Sequence, residues 1–264
     1  MSILADDEES WPPQVRKVFE DNLDLFKKEI DYDRAVEARH EQDHLARWIS
    51  PPNPFTTERE RVLDQAEDEL RTHRLVGYHC CRLLDCEVEN ILCNGMALLS
   101  PELVTRKIAT ALHGGHLTID QANLLQEMAL LKEDRGSRNG MIWFVFCRST
   151  LKTVVSGLYC LLGYWGGEAI YFDHVETALG QHLGTLGRPR VVEAEIPVQT
   201  LEVFMRTADR LLGGFLLRRN VEPPNGHTFE GHATSPVAAA MIRRVYTEGN
   251  PDFEALTGYS TWGV

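Results

Sequence analysis

The sequence predicts an α+β protein in which short helices pack on a split, mostly antiparallel sheet. The chain has 264 residues, of which 43% are hydrophobic and 25% charged, a composition typical of globular domains. Short aromatic and β-branched runs alternate with capped helical segments from residue 76 onward, without internal repeats. The preceding segment is acidic and helical. We therefore predict a helical N-terminal region over residues 1–72 and an α+β domain over residues 73–264.

Apolar residues in the first third of the chain recur at the spacing of an amphipathic helix, between residues 14 and 48. Three prolines within residues 50–55 interrupt this helix, and a second charged helix runs to about residue 70. The same segment carries most of the acidic excess of a chain whose net charge is −12. Such a region is typical of a packing appendage, or of a docking surface for a partner protein.

Turn and cap signals bound each apolar run of the α+β domain. Proline in the first helical turn, serine, threonine or aspartate at a helix start and glycine after its end give the limits of the helices. The predicted helices cover residues 85–95, 100–114, 118–132, 149–166 and 200–212. The predicted strands cover residues 76–81, 142–146, 169–172, 190–198, 215–217, 229–232 and 242–246.

Composition and charge exclude several classes of function. No apolar stretch approaches the ~20 residues that span a bilayer, and the first residues lack the basic-then-apolar order of a secretory signal. The negative net charge disfavours bulk attraction to nucleic acid, although the residues after 70 are nearly neutral and rich in arginine. We expect a cytoplasmic protein that binds no membrane and whose six cysteines are reduced thiols.

Common phosphate-binding and nucleophile motifs are missing from the chain, which has no GxxxxGK(S/T), GxGxxG or GxSxG sequence. One group of candidate zinc ligands consists of His73, His79, Cys80, Cys81, Cys86 and Cys93. Their spacing fits no zinc knuckle or ribbon, and buried reduced thiols account for them better. We therefore expect no metal.

One order of motifs stands out over residues 74–250. A short strand ends in Tyr78-His79, and the helix after it ends at Gly95. A long helical insertion precedes an aromatic strand at residues 140–146, and Glu230 follows in the sequence HTFEG, ahead of PVAAAMIRRV. This order resembles the diphtheria-toxin and poly(ADP-ribose)-polymerase branch of the ADP-ribosyltransferase superfamily. The resemblance implies the ADP-ribosyltransferase-like split sheet and an activity that consumes NAD as its substrate.

The resemblance also implies roles for individual residues. Breaking the bond between nicotinamide and ribose passes through an oxocarbenium-like transition state, which a nearby carboxylate stabilises. By resemblance Glu230 is the catalytic glutamate and His79 is the catalytic histidine that binds the ribose. The rival glutamates are Glu195, Glu222 and Glu193. The implied NAD-binding residues are His79, Cys80, Arg82, Trp143 and Tyr159, with the aromatic rings on nicotinamide and Arg82 on the pyrophosphate.

Two departures from the family pattern leave alternatives open. Cys80-Cys81 replace the usual Gly and Ser/Thr, and Trp143 replaces a tyrosine. The first departure favours a non-catalytic binding module with the same fold. An NAD-dependent RNA 2′-phosphotransferase is a further alternative, and Arg82 is the residue that would face its phosphate.

The transferase hypothesis implies a macromolecular acceptor, either protein or nucleic acid. Arginines near the expected cleft permit a nucleic-acid acceptor, namely Arg135, Arg138, Arg188 and Arg190. By analogy with the superfamily we expect an intracellular toxin or phage-defence enzyme. In that setting the acidic N-terminal helices contact a neutralising partner protein.

Overall fold

A computed structural model describes residues 2–42, 50–130, 138–152, 158–223 and 228–262. Within these ranges the chain forms twelve α-helices and seven strands. The strands are β1 (Ser2–Ile3), β2 (Arg74–Leu83), β3 (Ile142–Val145), β4 (Arg188–Pro197), β5 (Leu201–Val203), β6 (Glu230–Ala233) and β7 (Ile242–Thr247). The helices are α1 (Pro13–Asp21), α2 (Leu23–Gln42), α3 (Thr56–Leu70), α4 (Asp85–Asn94), α5 (Pro101–His113), α6 (Ile119–Leu130), α7 (Arg148–Leu151), α8 (Leu158–Gly163), α9 (Glu168–Tyr171), α10 (Ala178–Thr185), α11 (Thr207–Leu217) and α12 (Pro251–Thr257).

The strands form one sheet, and its order places the candidate site. The order is β5-β6-β3-β2-β4-β7, and β1 pairs in parallel with β2 beside this path. β3 pairs antiparallel with both β2 and β6, and β4 pairs antiparallel with β7. Strands that are neighbours in the sheet are far apart in sequence, so helices and loops connect them. The combination of helices with a mostly antiparallel sheet confirms the predicted α+β class.

One compact unit of the chain is largely helical. It consists of residues 1–75, 197–199 and 203–229. Its core is aromatic, because Phe19 packs edge to face against Trp11, Phe26 and Phe215 with ring centroids 5.4 to 6.2 Å apart. α3 buries an apolar stripe at helical spacing from Val62 to Leu70. The helical periodicity of the sequence therefore marks the buried face of this unit.

The other compact unit contains the main part of the sheet. It consists of residues 76–196, 200–202 and 230–264. Its hydrophobic core surrounds the fully buried Trp165 with side chains from α5, α6 and α10. The Trp165 indole donates to the Glu87 carboxylate at 2.7 Å, and the backbone N–H of Leu84 donates to the same carboxylate at 2.8 Å. Glu87 thereby caps the first turn of α4 and fixes this helix at the end of β2.

Gly95 occupies the turn that ends α4, with φ of +82°. A Cβ at this position would overlap the backbone of Val237, so only glycine fits. The next residue, Met96, exchanges two backbone hydrogen bonds with Val237, of 2.8 and 2.9 Å. The turn after α4 is therefore fastened to the segment that follows β6, although about 140 residues separate them along the chain.

Two predicted strands are helical in the structure. Residues 169–172 fall in α9 and the residue after it, and residues 215–217 complete α11, whose buried face continues through Phe215 and Leu216. A short apolar run fits both the strand and the helix period, so its neighbours decide its structure.

Three predicted helices are divided or shortened. The segment predicted over residues 14–48 is divided at Asn22, and the helix predicted over residues 200–212 begins only at Thr207 because β5 occupies Leu201–Val203. The helix predicted over residues 149–166 contains α7 and α8. Parts of these and other predicted helices lie outside the described residues, namely residues 43–49, 131–132 and 153–157.

Candidate active site

His79 lies in β2 at the point where this strand pairs with β3. Its imidazole Nδ1–H donates to the backbone carbonyl of Trp143 at 2.8 Å, and its ring lies 5.9 Å from that of Phe144. A carbonyl only accepts hydrogen bonds, so the proton sits on Nδ1. Burial lowers the pKa of His79, and the charge of Lys107 lowers it further against the effect of this hydrogen bond. The ring is therefore neutral near pH 7, and Nε2 carries a lone pair that accepts a hydrogen bond.

Trp143 and Glu230 come from adjacent strands and point to the same side of the sheet. In the β3–β6 register Val145 pairs with Glu230 and Trp143 pairs with His232, and cross-strand partners share a face. The Trp143 ring lies 5.1 Å from the His232 ring, and the Arg138 guanidinium lies 5.0 Å from the Trp143 ring centroid. We call this side of the sheet the Trp143 face.

Cys80 lies on the Trp143 face as well. The pairing of Tyr78 with Val145 brings Cys80 opposite Trp143 in the same register. Its thiol is buried, and burial raises its pKa above the usual range of a thiol. The charge of Glu230 contributes to this shift, so the thiol and this carboxylate are electrostatic neighbours. The sheet therefore brings together Cys80, Trp143 and Glu230, which the sequence places at three separate positions.

His79 leaves β2 on the side opposite to Cys80, because successive side chains of a strand alternate. Its contact with the Trp143 carbonyl places the imidazole between β2 and β3. Thus the structure ties His79 to the backbone of Trp143 while Glu230 extends from the Trp143 face.

The resemblance places Arg82 on the pyrophosphate of NAD and Tyr159 on the nicotinamide, but both residues interact with other parts of the protein in the structure. The Arg82 guanidinium donates to the backbone carbonyls of Leu186 and Leu162, at 2.7 and 3.4 Å, and burial lowers its pKa. Tyr159 lies on α8 with 38% exposure, and it acts electrostatically on Tyr164, whose pKa is raised chiefly by burial. Arg82 therefore fastens two backbone segments, and Tyr159 belongs to the surface of the aromatic group around Tyr164.

The rival glutamates differ from Glu230 in their partners. Glu193 is buried, accepts from the Tyr246 hydroxyl at 2.6 Å and lies 3.3 Å from Nε of Arg243. Glu195 is half-buried with a partner of its own, and Glu222 lies 3.8 Å from Arg34 in the helical unit. Glu230 is exposed and has no ion pair among the described residues. It is therefore a carboxylate on the Trp143 face that a ligand can reach.

The arginines predicted to face an acceptor are engaged in the structure. Arg190 pairs with Asp85, Arg188 donates to the carbonyl of Glu248, and Arg138 pairs with Glu168 at 2.8 Å beside Trp143. Arg135 lies outside the described residues.

Sequence reasoning missed His232 and Glu202. His232 follows Glu230 by two residues and shares its face, and its Nε2 lies 3.2 Å from Glu202 Oε2 on β5. Strand alternation after Glu230 was the signal for His232. The partner in β5 was not predictable, because residues 200–212 read as a helix.

No metal site is formed by the described residues, in which no three His, Cys, Asp or Glu side chains cluster suitably. Residues 40–44 read HEQDH, the spacing of a zinc-binding helix, but residues 43 and 44 lie outside the described part of the chain. Within the described ranges, no helix is both long and apolar enough to cross a bilayer.

Comparisons with known proteins give no relative to reason from: no family model, no curated protein and no solved structure matches this chain.

Proposed function

We propose that this protein is an NAD-dependent ADP-ribosyltransferase, which releases nicotinamide and transfers ADP-ribose to a macromolecular acceptor. One observation carries the proposal. The three motifs of the resemblance lie on β2, β3 and β6, which are far apart in sequence and are consecutive in the sheet. Cys80, Trp143 and Glu230, from three neighbouring strands, thus share one face of the sheet, and we propose that NAD binds on this face.

The chemistry of Trp143 and Glu230 agrees with this activity. His79 leaves β2 on the opposite face, so in this proposal its hydrogen bond to the Trp143 carbonyl positions β3 and the imidazole does not face the ribose. The Trp143 indole provides a flat ring for stacking nicotinamide. The exposed Glu230 carboxylate stabilises positive charge on the ribose as the glycosidic bond breaks.

In the reaction, the bond between ribose C1′ and the nicotinamide nitrogen breaks, and its electron pair leaves with nicotinamide. The oxocarbenium-like carbon is then attacked by the acceptor, whose proton passes to solvent or to a base. In this proposal Arg82 holds the backbone near the site through its bonds to Leu186 and Leu162 and does not bind the pyrophosphate.

The test is nicotinamide release from NAD by the purified chain, with and without total RNA, DNA and cell lysate. Glu230→Gln is expected to reduce release about 10³-fold, since it removes the charge that stabilises the transition state. Its melting temperature should stay within about 2 °C of the wild type, because Glu230 is an exposed side chain. The fraction that stimulates release identifies the class of acceptor.

Glu89→Gln is the matched control, because Glu89 is an exposed glutamate on α4 in the same unit. It should release nicotinamide at the wild-type rate. Full activity of Glu230→Gln, together with loss in Glu195→Gln, would show that the catalytic glutamate is misassigned.

One observation favours a second candidate, a binding module that has lost catalysis. The Cys80 side chain is buried where the resemblance implies a glycine, so it occupies space on the Trp143 face. No nicotinamide release in any mixture, with no shift of the melting temperature by NAD, is the outcome expected of this module.

A further inference from the structure

Glu230 and His232 are spaced along one strand on the Trp143 face. Residues two apart in a strand lie about 7 Å from each other on one face, so the carboxylate and the imidazole are neighbours on this face. The His232 side chain is 13% exposed and packs against the Trp143 ring at 5.1 Å. A titratable side chain thus adjoins the candidate site without a role in NAD cleavage.

One nitrogen of His232 lies beside a carboxylate. Nε2 is buried and lies 3.2 Å from the Glu202 carboxylate, and it has no hydrogen-bond partner among the described residues. A neutral imidazole has a lone pair on one of its two nitrogens, which can accept a proton.

We propose that His232 is the general base that takes the proton from a hydroxyl acceptor during ADP-ribose transfer, and that Glu202 is its positioning residue. This inference rests on the proposed function and adds the chemical class of the acceptor. The acceptor oxygen forms a bond to ribose C1′ as the bond to nicotinamide breaks. The hydroxyl proton moves to the imidazole of His232 and then to solvent, so NAD and an alcohol give nicotinamide, an O-linked ADP-ribose and a proton.

The need for a base indicates the chemical class of the acceptor. A carboxylate acceptor is already deprotonated near pH 7 and requires no base. A hydroxyl must lose its proton as its oxygen becomes bonded to carbon, and an imidazole is well matched to that transfer at neutral pH. A Glu–His pair beside the reacting ribose therefore indicates a hydroxyl group as the acceptor.

The charged groups around His232 come from three strands or their approaches. Glu230 lies on its own strand, Glu202 on β5, and Arg138 lies across the Trp143 ring just before β3. Two carboxylates and one arginine therefore surround the imidazole.

Methanol is the probe for the test, since it is a small hydroxyl acceptor that needs no recognition. Nicotinamide, ADP-ribose and methyl ADP-ribose are measured with the full chain at saturating NAD, from about pH 5 to 9. His232→Gln keeps an N–H that can face Glu202 but has no basic nitrogen. It should form methyl ADP-ribose about 10²-fold more slowly or worse, with the KM for NAD within about twofold.

Glu202→Gln should cause a smaller loss of kcat for methyl ADP-ribose, with the KM for NAD within about twofold, because it removes the residue that positions the base and leaves NAD binding intact. His113→Gln is the matched control, since His113 is an exposed histidine at the end of α5. It should leave all three products unchanged.

The outcomes separate the two proposals. No Glu230-dependent nicotinamide release by the wild type overturns the proposed function and this inference with it. Wild-type release with methanolysis unchanged in His232→Gln overturns the inference alone. Should His232→Gln melt at a much lower temperature, an unchanged kcat for methanolysis in Glu202→Gln overturns the inference by itself.

Discussion

The helical unit and the Trp143 face of the sheet differ in whether their charged and polar side chains have partners. In the helical unit, two arginines, Arg59 and Arg206, bind a group of carboxylates that consists of Glu29, Glu60, Asp64 and Asp209. On the Trp143 face, Glu230 has no ion pair and the Trp143 indole N–H is buried without a partner, as far as the described residues go. Charges that neighbours satisfy maintain the fold, whereas polar groups left unsatisfied mark the surface where a ligand is expected.

Burial gives the reason for the difference. Asp209 is 4% exposed, Glu29 12% and Arg59 14%, so each would be costly without its partners. The network is therefore a condition for folding the helical unit. Glu230 is exposed and remains hydrated when no ligand is bound, so it needs no partner for stability.

The largest effect on stability is expected from removing the centre of the network. Arg59→Ala leaves Glu29 and Asp209 buried without that guanidinium, which should lower the free energy of unfolding by about 3 kcal/mol. Nicotinamide release per folded molecule should stay at the wild-type value. Urea denaturation, with activity measured on the folded fraction, checks both parts.

Arg61→Ala is the control for that prediction, because Arg61 is 63% exposed and pairs with Glu58 at the surface of the same helix. It should leave the free energy of unfolding nearly unchanged, because solvent screens an exposed pair. If Arg59→Ala and Arg61→Ala lowered the free energy of unfolding equally, the buried network would not differ from surface pairs in its contribution to stability.

A smaller loss of stability is expected from replacing Arg82. This prediction tests whether a partly buried arginine of the sheet unit also serves the fold and not the ligand. Arg82→Gln removes the donors to Leu186 and Leu162 and should cost about 2 kcal/mol of stability, with the KM for NAD within about twofold. Thermal unfolding and initial rates give the two values.

Arg82→Lys keeps one donor and should lie between the wild type and Arg82→Gln in stability. A rise of about tenfold or more in KM in Arg82→Gln, at nearly unchanged stability, would instead assign Arg82 to the pyrophosphate.

The sequence predicted the strands of the candidate site because each is a short aromatic or β-branched run between turn residues. β2, β3 and β6 all lie close to their predicted limits. The runs at residues 169–172 and 215–217 have the same local composition and are helical, because α9 follows a glycine turn and α11 continues its own buried face. Local pattern therefore identified the strands only where no adjoining helix competed.

The sequence could not predict which residues contact each other across the sheet. The placement of Glu202 beside His232 depends on β5 pairing with β6 across about 30 residues, and no local signal states that register. The use of Arg82 on two backbone carbonyls likewise depends on where α8 and α10 end. These are contacts between distant segments, which a residue pattern along one segment does not encode.

The smallest predicted effect concerns the pH dependence of the helical unit. Burial raises the pKa of Glu29, and the charges of Asp33, Glu60 and Asp209 add to it while Arg59 opposes them. Because the folded pKa lies above the unfolded one, Glu29 contributes stability below its unfolded pKa, and this contribution is lost as pH rises through the folded pKa. The stability of the wild type relative to Glu29→Gln should therefore fall from acid toward neutral pH, by about 1 kcal/mol or less.

Glu58→Gln provides a control of opposite sign. The hydrogen bond to Arg61 lowers the pKa of the exposed Glu58, so any contribution of that carboxylate is present at neutral pH and lost in acid. Chemical denaturation of the three proteins at a series of pH values separates the cases. If the stability of the wild type relative to Glu29→Gln instead rises toward neutral pH, the charge of Arg59 outweighs the effect of burial. The network would then stabilise the ionised form of Glu29.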